Sequence, residues 1–201
     1  VLASLIASAI GVIVGTIAGF FGGIVDTVLS RLIDLVMSVP FLLVAIALVS
    51  VLGSSLGLSI AVIVFFSWAS LARVIRGQVL AIREREFIEA ARSLGESRWA
   101  MMFRDVLPNL VVPIIVYTTL MIPAAIVFEA TLSFLGLGIV PPTPSWGNML
   151  ADAANGSMYL VAPWMVLVPG LALLALTLAF NLLGDGLRDA LDPTSTKGAK
   201  A

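Results

Sequence analysis

Arg83-Glu-Arg-Glu-Phe-Ile-Glu-Ala-Ala-Arg-Ser-Leu-Gly95 is a densely charged stretch in a chain that otherwise carries very little charge. On either side of it the sequence runs in apolar blocks of about 20 residues, the length a helix needs to cross a bilayer. The 201 residues are 60% hydrophobic and 11% charged, with a mean hydropathy of +1.13. A water-soluble chain is usually about 25% charged, so this composition excludes a soluble domain and requires a membrane. It holds no Cys and no His, which removes thiol nucleophiles, disulfides and a Ser-His-Asp arrangement, together with metal ligation through those side chains. No Gly-Lys pair occurs, so a phosphate-binding Gly-Lys-Ser/Thr loop is absent as well. We expect no catalytic residue and no metal site in the chain.

Working outward from the charged stretch, five segments read as membrane helices: roughly 1–21, 33–53, 57–76, 108–134 and 160–183. Gly22-Gly23 opens a short polar link containing Asp26, Ser30 and Arg31, and Gly53-Ser54-Ser55 leaves room only for a tight turn. Seven of the 11 basic residues (Arg73, Arg76, Arg83, Arg85, Arg92, Arg98 and Arg104) cluster around residues 77–107. Basic residues stay on the cytoplasmic side, so that loop is expected in the cytoplasm. The tail with Arg188, Lys197 and Lys200 falls on the same side two spans later. The 135–159 loop has no Lys or Arg and falls outside. Counting back places Val1 outside, and a preceding helix starting in the cytoplasm would make six spans in the intact protein. The whole of 1–201 reads as a single all-α transmembrane domain, surrounded by lipid and with no nucleic-acid partner.

The loop itself is too long for a connector. Glu84 and Glu86 suit the first turn of a helix, Arg92 its end, and Gly95 its stop. Phe87, Ala90, Ala91 and Leu94 form one small apolar face. Ser97 is placed to cap a second short helix with the stripe Trp99, Met102, Phe103 and Val106, and Leu107-Pro108 begins the next span. Such a helix could lie on lipid or pack on its own spans. The small Ala90-Ala91 pair between flanking charges favours close approach by another protein.

Glu89-Ala90-Ala91, three residues, Gly95, and Leu107-Pro108 after eleven more resemble the signature loop of permease subunits of bacterial ABC importers. Val106 before the Leu-Pro, with Asp105 where the broad family often has an apolar residue, resembles the peptide-importer branch. Three further stretches are similar to the dipeptide/oligopeptide/nickel permease family, and within it to the C-type second subunit. They are Ala130-Thr-Leu-Ser-Phe-Leu-Gly-Leu-Gly138, Pro141-Pro-Thr-Pro-Ser-Trp-Gly-Asn-Met-Leu-Ala-Asp152 and Leu183-Gly-Asp-Gly-Leu-Arg-Asp-Ala-Leu-Asp-Pro193. The resemblance covers essentially the whole chain and lacks the family's first helix.

The resemblance implies a type I importer permease bundle in a bacterial or archaeal plasma membrane. It also implies a second homologous permease subunit, two cytoplasmic ABC ATPases that bind ATP and Mg, and an external solute-binding protein. Glu89, Ala90, Ala91, Gly95, Leu107 and Pro108 would then form the coupling motif, with Glu89 anchoring the loop on the ATPase. Dipeptides, longer peptides, glutathione-like compounds and nickel chelates all fit as solutes.

From the residues alone, Glu129 near the outer boundary is a candidate for the solute path, or a carboxylate that snorkels to the outer surface or bonds to a neighbouring helix. Asn181 is the only amide deep in a span. Pro113, Pro123 and Pro169 interrupt the last two spans as kinks or hinges. Trp146, Tyr159 and Trp164 fit an outer aromatic belt. The alternative to an importer is a secondary carrier or channel without an ATPase, which commonly places ionisable groups at mid-membrane; a scaffold subunit is a further alternative.

Overall fold

A computed structural model describes residues 1–155 and 157–191; the expectations for Lys197 and Lys200 lie outside them. Helix α1 spans Leu2–Phe21, α2 Gly23–Ser38, α3 Phe41–Leu52 and α4 Leu56–Arg83. The charged loop holds α5, Glu86–Ser93, and α6, Arg98–Met101. A π-turn over Met102–Val106 and a 3₁₀ turn over Leu107–Leu110 join α6 to α7, Val111–Phe134. Then follow α8, Trp146–Asn155, α9, Met158–Val161, and α10, Trp164–Leu191. Among the described residues, four helical stretches are long and apolar enough to span a membrane, and the pair α2–α3 makes a fifth, bent by 78°.

That bent pair corrects the expected second span of 33–53. The Gly23–Ser38 segment is helical throughout, including the supposed polar link, and the break comes at Val39-Pro40. A residue before proline is pushed out of the helical region, and Val39 is extended (φ −87°, ψ 128°). Polar residues stay helical in 23–38 because α4 answers them. Asp26 takes both its carboxylate oxygens to the Arg76 guanidinium, with Nη2 donating to Oδ2 at 2.7 Å. Ser30 also donates to Asp26, and Arg73 donates to Asp34 at 2.7 Å. Forked pairing of this kind suits a charged pair of which each side chain is less than a third exposed. Arg76→Ala should leave the Asp26 carboxylate with only its Ser30 bond and cost about 1–3 kcal/mol. Exchanging the charges, Asp26→Arg with Arg76→Asp, should recover most of it, read as the thermal midpoint in detergent.

The spans are also longer than expected towards the charged end. α4 runs on to Arg83 because Val79 and Ile82 bury themselves against Phe20 at the end of α1, and nothing between them breaks a helix. The loop proper therefore starts near residue 84, and not at 77. At the other end of the chain the last span is Trp164–Leu191, not 160–183. The expected 135–159 loop contains the ten-residue helix α8.

Close packing of α1 on α4 is the backbone of the bundle. Gly11, Gly15 and Gly19 stand four apart on α1 and lie against Trp68, Leu71, Ala72, Ile75, Arg76 and Val79 of α4. Apolar side chains have little reason to prefer each other over lipid, so membrane helices associate through small residues that let backbones approach. Ala7, Ala18, Ala69 and Ala72, all fully buried, continue the seam. α10 lies instead on the periphery against α7 and α8, where Gly184 touches Leu120. Its Leu167, Leu171, Leu174, Leu178 and Leu182 are exposed, an apolar face suited to lipid or to another membrane chain.

Candidate functional site

At the charged end, α5 is built to be held and to be touched. Its eight residues end in a Schellman motif: Gly95 N–H donates to Arg92 O at 3.1 Å and Glu96 N–H to Ala91 O at 3.1 Å. Gly95 takes φ +79°, the left-handed conformation in which glycine carries no Cβ penalty. Ser97 caps α6 as expected, accepting from Ala100 N–H at 3.2 Å.

The helix divides by face. Ile88 is fully buried in the cluster of Phe20, Ile75, Val79, Ile82, Met101, Met102, Val106 and Leu110, with Ala91 and Leu107 packed on its edge. Phe87, Ala90 and Leu94 point the other way, Leu94 being 88% exposed. The expected apolar stripe of Phe87, Ala90, Ala91 and Leu94 is thus outward except for Ala91. Its inward anchor, Ile88, lay outside the stripe as read from the sequence. Glu89 is exposed, and its backbone carbonyl accepts from Ser93 Oγ at 3.0 Å. The second stripe divides too: Met102 and Val106 are buried, whereas Trp99 and Phe103 are exposed and stacked at 6.3 Å, because the π-turn rotates the register. Trp99 also meets Phe21 edge-on at 5.2 Å.

Glu89, Ala90, Ala91 and Gly95 therefore share one element, while Leu107 and Pro108 sit at the root of α7. The two parts are joined through one cluster that reaches α1 and α4. Arg83 reinforces the joint by donating to the carbonyls of Gly19 and Phe20 at the end of α1. Pro108 borders a cavity of about 610 Å³ between α4, α7 and α10 that also presents Gln78, Asn109, Tyr117 and Arg188.

At the opposite end, Glu129 is half-buried on α7. Its Oε1 accepts from Ser133 Oγ at 2.6 Å, one turn on, and from Ser145 Oγ at 2.9 Å. Ser145 in turn accepts from Gly147 N–H at 3.1 Å, and Ser133 Oγ from Ile139 N–H at 3.1 Å. The carboxylate thus pins the loop and α8 onto α7, where a Cβ on Gly147 would lie only 2.2 Å from Ala130 O. Of its two partners, Ser133 was legible as an i, i+4 neighbour and Ser145 was not. Beside Glu129 lies a cavity of about 340 Å³ lined by Pro144, Ser145, Trp146 and Met149. Asn181, half-buried on α10, does not line it.

Residues 11–197 match the family described as "Binding-protein-dependent transport system inner membrane component". A Brucella ovis protein provisionally named a peptide permease is 45% identical over 161 residues, 80% of this chain and 53% of its own length. The glutathione transport system permease protein GsiD of Escherichia coli O1:K1 is 46% identical over 160 residues, again 80% of this chain and 52% of its own length. The chain thus spans about half the length of these curated relatives. Among solved structures, an inward-facing form of the MetNI methionine ABC transporter shares the fold with a TM-score of 0.75. That match has 17% identity and covers 95% of this chain and 90% of the other.

Proposed function

Since the chain belongs to the binding-protein-dependent transport system inner membrane component family, we propose that it serves as one permease subunit of an ATP-driven importer of peptide-class solutes. The observation that carries this reading is α5. It is a short helix with an exposed apolar face, stopped by a Schellman motif and anchored through fully buried Ile88 to the ends of α1 and α4. A surface of that kind meets a partner on one side and moves the spans on the other.

In this reading the charged loop is cytoplasmic and two ABC ATPases bind ATP and Mg. One of them receives Phe87, Ala90 and Leu94, with Glu89 and Gly95 fixing the docked helix. A second permease and lipid cover the apolar face of α10, and a receptor delivers solute at the end bearing α8. A solute shifts the inward–outward equilibrium only by its differential affinity for the two states, so the driving energy enters through α5. The two curated relatives bear names for peptide and glutathione transport, and a solute with a peptide backbone is accordingly the proposed cargo.

The test uses the full-length protein co-expressed with the ATPases, second permease and receptor encoded beside it. These 201 residues lack cysteine, so Ser93→Cys gives them a single thiol, on the exposed end of α5. Crosslinking to an ATPase subunit, and ATPase activity that rises several-fold with loaded receptor, are the expected results. A protein that purifies with no ATPase and yields no such crosslink would point to a carrier.

A further inference from the structure

We infer that Glu129 and the Trp146 ring form a site for the primary ammonium group of the solute, at the end of the bundle where it enters. The inference deepens the importer reading and rests on it.

The carboxylate has no counter-ion among the described residues. Glu129 forms no ion pair among the described residues, and no Lys or Arg occurs anywhere between residues 105 and 187. Its two hydrogen bonds come from neutral hydroxyls, and both fall on Oε1. Oε2 has no hydrogen bond among the described residues and is not fully buried. A carboxylate at a membrane boundary is costly to keep there without a partner. The clasp on the loop does not require the charge, since a neutral amide oxygen can also accept from two serine hydroxyls.

The surroundings match the missing partner. The cavity of about 340 Å³ beside Glu129 is walled by Trp146, Met149 and Pro144, a lining that is otherwise apolar or aromatic apart from Ser145. One anionic oxygen beside an indole is the pairing that holds an ammonium ion, by a charge-assisted hydrogen bond and by attraction to the ring face. The opening has room for the terminus of a small solute, and it presents no cationic side chain to a carboxylate. A solute with a free amino terminus fits, and an anionic or acylated one does not.

The experiment measures uptake of Ala-Ala and of N-acetyl-Ala-Ala into proteoliposomes holding the complete transporter. Wild type is compared with Glu129→Gln and, separately, Trp146→Leu, with the receptor saturated by each solute. The same receptor serves every arm, so its own preference cancels in the ratio between variants. Loss of a charge-assisted contact predicts that the preference for Ala-Ala falls on the order of tenfold in Glu129→Gln and several-fold in Trp146→Leu.

The acetylated solute reports folding, because its uptake should stay near the wild-type rate in Glu129→Gln. Equal losses for both solutes would overturn the site and leave Glu129 as a loop clasp alone. So would an unchanged ratio in both variants, which would assign amine selection to the receptor. If wild type takes up neither solute and its ATPase ignores the receptor, the importer reading falls first and this one with it.

Discussion

Glu89→Ala combined with Gly95→Pro should bring solute uptake below detection while the protein still inserts and assembles its bundle. The two substitutions act on different properties of α5. Removing the Glu89 side chain takes away an exposed carboxylate that bonds to no described residue, so its cost to the fold should stay within about 0.5 kcal/mol. Its effect would be confined to whatever docks on the helix. Gly95→Pro attacks the geometry. Proline holds φ near −65°, against the observed +79°, and it lacks the N–H that Gly95 donates to Arg92 O. The Schellman motif is lost, Glu96 N–H is drawn away from Ala91 O, and the helix end swings relative to Ser97 and α6. Ile88 and the cluster beneath it are not touched, so the span packing survives.

Gly95→Ala, which keeps the N–H and costs about 1 kcal/mol for the left-handed conformation, should give an intermediate uptake. Uptake by ATP-energised proteoliposomes is the measurement, with the melting curve as control for assembly. Wild-type uptake by the double variant would remove α5 from the coupling role.

What the sequence could disclose follows from the range of the interactions concerned. The existence of the spans was legible because lipid demands about 20 apolar residues in a row, and that demand is local. The stop at Gly95 and the cap at Ser97 were legible for the same reason, each being settled within four residues. The polar segment around Asp26, Ser30 and Arg31 reads as a link in the sequence because its justification lies 50 residues away, in Arg76. The extension of α4 to Arg83 likewise depends on Phe20, a contact across the bundle.

At the candidate sites the pattern repeats. Glu89 and Gly95 came from local motif. Ile88, the buried anchor, falls just off the apolar stripe given by periodicity, because α5 carries a second apolar face, Ile88 with Ala91, and periodicity alone does not say which face the bundle takes. The role of Glu129 needed Ser145, which approaches only because the chain folds α8 back onto α7. Amide and hydroxyl partners far apart in sequence leave no trace in composition or spacing.

The largest effect on stability is expected from Gly15→Leu. A Cβ at Gly15 would stand 2.5 Å from Ala72 O and 2.9 Å from Ile75 Cβ. Neither neighbour is the free end of a flexible side chain: one is backbone and the other is the first carbon of a fully buried isoleucine. Leucine must therefore push the helices apart, and the glycines on either side, Gly11 and Gly19, lose their contacts with α4 in the same movement. Overpacking a core usually costs about 1–3 kcal/mol when side chains can rearrange, and here the obstacle is main chain, which places the cost at or above the top of that range.

Gly57→Leu is the control, since nothing lies within 4 Å of a Cβ there and replacing glycine in a helix is favourable by up to about 1 kcal/mol, less in the first turn where Gly57 stands. The two variants add the same side chain to helices of the same bundle, and the predicted shifts in thermal midpoint have opposite signs. Equal midpoints would mean that the α1–α4 seam is looser than its glycine spacing requires. A large fall for Gly15→Leu alone would show that the approach of these two helices holds the bundle together. Since Ile88 packs on the ends of both, the same seam would carry the movement of α5 into the spans.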